Sequence, residues 1–508
     1  MTTRLVLDQI LDPAQARVRL RRDPAGRPLA ARFDLDGLPR VEGLLLGRPV
    51  AQVPPLVERL CGVCPTAHHL AGVRALEALA GITDLPVGAR LVRRLLHHGA
   101  VLEMQAGRFL FQRPDSARQL RHFAKLAMAA AGSPGHFPVT AVVGGVAAPV
   151  AAEARDRCRQ QVGAALAVGL ELARAVLAEA AGPTEADDWP GAAVAACDGA
   201  GLPRLDGDRL RAVAADGAVL VAAAEPQGWD ALVAEARPGD PAPRPYLLSL
   251  GPQRGAYRVG PVAQLSVGRL TTPLAAQLQA DWLGRPHGAL AARAVMALHC
   301  LEVIAQVLDQ PDLMSDQLLS DQLPTPPAPG SAPSFPDRRP APSGSADGAA
   351  DAHRTATTPI TPRSGAADAR KSTASDVPRS GVGWSDGARG LLVHRYAVDR
   401  NGALVAAQIL TPTAQNEPWL AHLLTRAARR TEPERLAAGL EEAIRAADPC
   451  LPCTAAPPGA MGLIIDDPAA AEARPADWAE AGPADRPGAV STSRPDDHRA
   501  VPAPVEGD

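Results

Sequence analysis

The spacing of apolar positions describes a mainly helical chain with short strands at its margins. Ala16-Arg-Val-Arg-Leu20 alternates, Asp23-Pro-Ala-Gly26 has turn chemistry, and Leu29-Ala-Ala-Arg-Phe33 returns, so residues 14–48 read as short strands. From Ala67 to Ala80, Leu70, Val73, Leu76 and Leu79 recur at three-residue spacing, which predicts a helix stopped at Gly81. Residues 88–113 and 117–131 predict further helices, separated by Arg113-Pro114-Asp115. A Gly-rich connection, Gly135 to Val146, leads to a long Ala-rich helix from Cys158 to Ala181. Residues 182–260 mix short apolar runs with Gly and Pro, and Leu274 to Leu308 reads as one or two helices. Leu391 to Val398 and Leu404 to Leu410 flank Asn401-Gly402 and predict a hairpin. Residues 418–447 predict helix, and Met461 to Ile465 a last strand.

Composition changes this picture in two places. Residues 322–382 are Pro, Ser, Thr, Ala, Gly, Asp and Arg with almost no large apolar residue. Such a segment buries too little surface to offset its ordering entropy, so it is expected to be a disordered insertion, and 467–508 a disordered tail. Residues 1–321 and 383–466 are then two parts of one large α-rich α+β domain. The chain has 508 residues, is 46% hydrophobic but only 3% aromatic, and its lysines are Lys125 and Lys371 alone. A net charge of −3 with no basic block argues against nucleic acid or anionic membrane as partner. No export signal shows, and no uncharged apolar run approaches the ~20 residues of a membrane helix, so a soluble, cytoplasmic chain is expected.

The chemistry-bearing stretches are Arg59-Leu-Cys61-Gly-Val-Cys64-Pro-Thr-Ala-His68-His69 and Asp448-Pro-Cys450-Leu-Pro-Cys453. Thiolates prefer soft metals, and two intervening residues let both sulfurs of a pair reach one ion. One such pair is a weak signal; one near each end of the ordered chain points to a four-thiolate site built by folding. A structural zinc site is the plain alternative, although zinc ribbons space their pairs by ~15–20 residues and here hundreds intervene. Cys158, Cys197 and Cys300 stand alone in apolar surroundings and read as packed free thiols.

In the same order along the chain, these motifs resemble those of the large subunit of [NiFe] hydrogenases, closest to the cytoplasmic, cofactor-coupled branch. Val41-Glu42-Gly-Leu-Leu-Leu-Gly47-Arg48 resembles the family segment with Glu ahead of Gly-Arg. Arg59-x-Cys61-Gly-x-Cys64-x-x-x-His68 is similar to the first nickel motif, and Asp448-Pro-Cys450-x-x-Cys453 to the second. Phe109 to Asp115, Gly144-Gly145-Val146, Gly387-Ala388-Arg389-Gly390, Tyr396 to Gly402 and Thr413-Ala-Gln-Asn416 follow the family between them, with Ala388 where the family has Pro.

The resemblance implies a helical bundle around a buried metal site, with β-hairpins at its periphery. Cys61 and Cys450 would be terminal nickel thiolates. Cys64 and Cys453 would bridge to an iron carrying CO and cyanide. Arg389 would lie over the open site, fixed by Asp115. His68 would donate to a bridging sulfur, Arg59 would line the site, and Glu42 would bind Mg2+. An iron–sulfur small subunit, diaphorase-type subunits and nickel-insertion chaperones would be the partners, and reversible H2 oxidation the activity. Two departures stand against this. The family's N-terminal relay Glu has no counterpart near Asp12-Pro-Ala-Gln-Ala16. Ala456 replaces the His that binds Mg2+ and marks the cut removing the C-terminal extension. These departures favour a second reading, a non-catalytic scaffold for assembling the NiFe centre or a hydrogen sensor. A zinc-stabilised interaction protein is the third.

Overall fold

The alternating segments near the N-terminus pair as an antiparallel hairpin, β1 (Gln15–Arg22) with β2 (Pro28–Phe33). This computed structural model describes residues 15–36, 38, 41–59, 61–179, 188–284, 288–322 and 379–467. The apolar face of β1, Ala16, Val18 and Leu20, is buried, and its arginines point outward.

The period-3.6 segments form helices close to the expected bounds. They are α1 (Pro65–Ala80), α2 (Val87–Gly107), α3 (Pro114–Ala130) and α4 (Ala152–Glu179), then α5 (Pro273–Gly284), α6 (Ala289–Leu308), α7 (Glu417–Arg430) and α8 (Leu436–Ala447). Helix α4 begins six residues ahead of Cys158. Its first turns are polar and exposed, so they lack the apolar spacing that marks the rest. Helices α2, α3, α4 and α6 pack as a bundle, with α6 touching both α2 and α4. The many alanines let these helices approach closely, which is how a core with few aromatics fills.

Helices α4 and α6 are long and apolar enough to cross a membrane by length and composition. Most of α6 is buried inside the protein, and its two charged residues are bonded there. Arg293 pairs with Asp448, and Glu302 accepts the backbone N–H groups of Leu274 and Ala275.

Beyond two short hairpins, β3 (Ala141–Val142) with β4 (Gly145–Val146), and β8 (Val233–Glu235) with β9 (Pro245–Leu247), the strands form three sheets. The mixed region contributes a four-stranded sheet in the order β10 (Tyr257–Arg258), β5 (Ala192–Cys197), β6 (Arg209–Val213), β7 (Val219–Ala224). The expected Asn-Gly hairpin is β12 (Gly390–Val398) and β13 (Leu404–Leu410), and a further strand, β11 (Arg379–Gly387), pairs with β12. That strand starts four residues ahead of Gly383, inside the segment whose composition suggested disorder. Backbone pairing of Arg379 to Val382 with Val398 to Arg395 holds it, and such pairing needs no apolar side chain. The remainder of the expected insertion, 323–378, and of the tail, 468–508, lies outside the described residues, as does Asp12.

The last strand, β14 (Gly462–Asp466), joins β1 in parallel. Helix α1 lies along β11 so closely that a Cβ on Gly383 would sit 2.3 Å from the Ala75 nitrogen. This contact sets the first cysteine motif, at the start of α1, beside the turn that carries Arg389.

Candidate metal centre

Cys64 is the residue on which α1 begins, with Pro65 in its first turn, where a missing N–H costs nothing. The second motif follows α8, which ends at Asp448 in left-handed geometry (φ 50°). The Cys450 N–H donates to Thr413 Oγ1 at 2.6 Å, fixing the loop against the start of α7. Folding thereby brings three thiols from the two ends of the chain together. Cys61 Sγ lies 3.1 Å from Cys64 Sγ and 3.3 Å from Cys450 Sγ, and Cys64 lies 3.5 Å from Cys450. Sulfurs bound at about 2.3 Å to one ion stand roughly 3–4 Å apart, so this triad has the spacing of a metal cage. Cys453 is buried in a short turn (Pro452–Ala455) and does not join the triad. Burial pushes its thiol up to about 11.

Within the triad, the Cys450 and Cys64 sulfurs act as donors to Cys61 and pull its thiol strongly down. Contacts with Cys450 and Cys61 and burial raise Cys64, and the contact with Cys61 and burial push Cys450 up to about 12 against the opposing contact with Cys64. The three thiols titrate as a coupled set, with Cys61 the member whose thiolate the contacts favour.

Arg389 sits in the turn between β11 and β12. Gly390 takes φ 120° there, and a Cβ on it would meet the Gly260 nitrogen at 2.5 Å. The Ala388 carbonyl is clamped by Gln105 Nε2 at 2.9 Å and approached by Arg293 Nη1 at 3.4 Å. Arg389 is buried beside Asp448, Nε to Oδ1 at 3.3 Å, and the pair lacks hydrogen-bond alignment. Its Nε and Nη1 therefore keep donors with no acceptor. Asp448 also meets Arg108 at 2.8 Å and Arg293 at 3.1 Å. Burial would push its carboxyl up, but Arg389, Arg293 and Arg108 outweigh that and hold it at about 2. Three guanidiniums against one carboxylate leave buried positive charge beside the thiols, an environment that favours an anionic centre. Soft donors with surplus N–H groups over them fit a thiolate-bound metal with anionic ligands.

Two cavities reach the triad. A small one, about 80 Å³, is bounded by Cys64, Cys450, His97, Met104, Ser385 and Arg389 and is mostly apolar. A larger one, about 530 Å³, opens between Cys61, Cys64, Cys450, His68, Glu42 and β13.

The other expected site residues divide. His68 is buried and lines the larger cavity beside Cys61 and Cys64, and it favours the Cys61 thiolate. Asp115 is a correction. It stands in the first turn of α3 with its side chain 83% exposed and pairs with Arg118 at 2.5 Å. The carboxylate beside Arg389 is Asp448. Arg59 is a second correction, because it is exposed and lies over the Phe137 ring, 5.6 Å from its centre. Glu42 is half-buried on a short turn (Glu42–Leu44) and lines the larger cavity. It belongs to no cluster of three or more metal-binding side chains among the described residues. His69 is buried with Nδ1 3.2 Å from Glu58 Oε2, and it accepts the Ala141 N–H.

Asp448, Arg108 and Arg293 were not singled out as a group by the sequence. Three cations gather on one carboxylate from three separate elements, and the local signal is only an Asp-Pro turn.

The family model for nickel-dependent hydrogenases matches residues 40–106, which include the first cysteine motif and α1. The chain is 25% identical over 451 residues to a subunit of the vhu hydrogenase of Methanocaldococcus jannaschii, covering 81% of this chain and 95% of the relative. It is 23% identical over 530 residues to the NAD-reducing hydrogenase HoxS subunit beta of Cupriavidus necator, covering 92% and 97%. Among solved structures, an NAD+-reducing [NiFe]-hydrogenase in the H2-reduced state superposes with a TM-score of 0.67 at 26% identity, over 85% of this chain and 95% of that one. The chain is a homologue of [NiFe] hydrogenase large subunits. A [NiFeSe] hydrogenase of Desulfovibrio vulgaris Hildenborough shares the fold at a TM-score of 0.55 and 17% identity. As a large-subunit homologue, the chain has the α+β fold that its motifs imply, and its two cysteine motifs meet in space.

Proposed function

We propose that this protein is the nickel-binding large subunit of a [NiFe] hydrogenase, with Cys61, Cys64 and Cys450 holding the metal centre. The observation that carries this reading is the convergence of these thiols beside the buried guanidinium of Arg389, which is ion-paired with Asp448 yet keeps Nε and Nη1 without a hydrogen-bond acceptor. Cys453 would supply the fourth thiolate, which requires its side chain to join the triad. The centre would supply the soft, electron-rich site at which H2 is split.

The chain's own residues do the rest. The small cavity beside Cys64 and Cys450 has room for a diatomic molecule. Arg389, always protonated, holds charge over the site, and Asp448 keeps it there. A thiolate of the triad is the nearest base for the proton. One relative is a subunit of an NAD-reducing hydrogenase; on that analogy iron–sulfur and diaphorase-type subunits would carry the electrons in the cytoplasm, and nickel-insertion chaperones would act during assembly.

The separation of Cys453 from the triad favours a second reading, an assembly scaffold that carries iron with its ligands but no nickel. The test is the metal content of protein purified without air together with its partner subunits, with infrared spectra in the region of metal-bound CO and cyanide. Nickel and iron near one each, with those bands and H2/D2 exchange, is the expected result. Iron and bands without nickel supports the scaffold. Zinc without bands rejects both.

A further inference from the structure

Behind the cysteine triad runs a chain of buried polar groups that the proposed reaction does not use. His68 Nδ1 lies 3.0 Å from His394 Nε2, and His394 Nδ1 lies 2.6 Å from the Tyr396 hydroxyl. His68 belongs to α1, and the other two belong to β12. Tyr396 is fully buried in an apolar cluster with Val57, Leu76 and Leu404. Burial raises its phenol far above the ordinary value, so it keeps its proton.

A buried O–H left without an acceptor keeps the full cost of its desolvation. The acceptor in reach of Tyr396 is His394 Nδ1, so the phenol donates there. That nitrogen is then bare. Burial keeps His394 neutral, so its one ring proton is on Nε2 and is donated to His68 Nδ1. His68 Nδ1 is in turn an acceptor, and the proton of His68 is on Nε2, the nitrogen left for the sulfur side. The reverse polarity strands the Tyr396 proton in apolar surroundings and turns a lone pair of His68 toward Cys61.

We propose that Tyr396, acting through His394, is a positioning residue that fixes His68 as the Nε2–H tautomer, a hydrogen-bond donor to the Cys61 sulfur. The inference rests on hydrogen-bond polarity and stands whether or not nickel is inserted. A donor on the sulfur withdraws electron density from it, so the phenol of Tyr396 adjusts the donor strength of a metal ligand from two side chains away.

The test uses full-length protein labelled with 15N-histidine, before metal loading. Long-range 15N–1H spectra distinguish a protonated from a bare ring nitrogen, and spectra of H68Q and H394Q assign the signals. In the unsubstituted protein His68 is expected to show a protonated Nε2 and a bare Nδ1. The opposite pattern overturns the proposal without any further variant. Y396F keeps the ring and removes the donor, so His394 should shift toward Nδ1–H and His68 should lose its single tautomer. A His68 signal unchanged in folded Y396F would show that Tyr396 does not set it. In metal-loaded protein the same substitution should move the CO and cyanide bands with nickel content unchanged, a change that loss of packing alone does not give.

Discussion

Asp448 concentrates more electrostatic consequence than any other residue placed at the centre. It is fully enclosed, and its charge is what permits Arg108, Arg293 and Arg389 to share one interior. Removing one partner of a buried charge network costs about 3–5 kcal/mol, because the remaining charges stay desolvated. D448A is therefore expected to lower the free energy of unfolding by that amount in urea titrations and to lose bound nickel. D115N should change neither, since the Asp115 carboxylate faces water and its arginine is one turn away on the same helix.

Asp386 makes a separate prediction. Burial raises its carboxyl to about 7 from 3.8, against hydrogen bonds from the Ala196 N–H and Gln264 Nε2 that act the other way. The native state thus holds a proton that the unfolded chain releases. Its stabilising contribution is complete below pH 3.8 and is lost as pH rises through 7. Urea midpoints of D386N should vary less between pH 4 and 8 than those of the unsubstituted protein. An identical pH dependence in the two would remove Asp386 as the cause.

At the scale of elements, the cysteine motifs were readable because spacing alone defines them, and the helices because their apolar period persists over several turns. The partner of Arg389 was not. Asp115 satisfies the same sequence pattern from the first turn of α3, where it faces solvent and pairs with Arg118, while the carboxylate beside Arg389 lies in a turn that only folding brings to β11 and β12. Strand β11 was hidden for a different reason. Gly381 and Gly383 fit against the backbone of α1, so the strand that packs most closely there looks like a loop in composition.

Strand β14 carries a prediction of its own. It lies beyond Ala456, in the stretch that resembles a removable extension, yet it pairs with β1, and Met461 is buried in the main core. Arg445 holds the carbonyls of Ala456 at 2.9 Å and Pro457 at 2.8 Å, and Gly459 donates to Glu441 at 2.8 Å. The strand is expected to be retained, with an intact mass that includes residues through Asp467 in the metal-loaded protein. M461A should cost about 2–5 kcal/mol, as other large-to-small core changes do. A mature chain ending at Ala456 would show that β14 is a temporary part of the fold.

At the scale of the whole molecule, the described residues on either side of 323–378 lie against the same helix. On one side, Gln322 Oε1 accepts the N–H groups of Thr83 and Asp84, just past the end of α1. On the other, Gly381 packs against Ala75 and Leu79 of the same helix. Both ends therefore lie at the C-terminal end of α1, whereas Cys64 sits at its N-terminus. A helix of 16 residues is about 24 Å long at 1.5 Å per residue, so Gln322 and Gly381 lie far from the triad. Shortening a surface connection changes its closure entropy only by about 0.6 kcal/mol per halving of length. Replacing 323–378 by a Gly/Ser linker of about a dozen residues should leave nickel per chain and the infrared bands unchanged, and shift the urea midpoint little. Loss of nickel in a folded, truncated protein would show instead that the segment acts in metal delivery, because Gln322 and Gly381 themselves lie at the far end of α1 from Cys64.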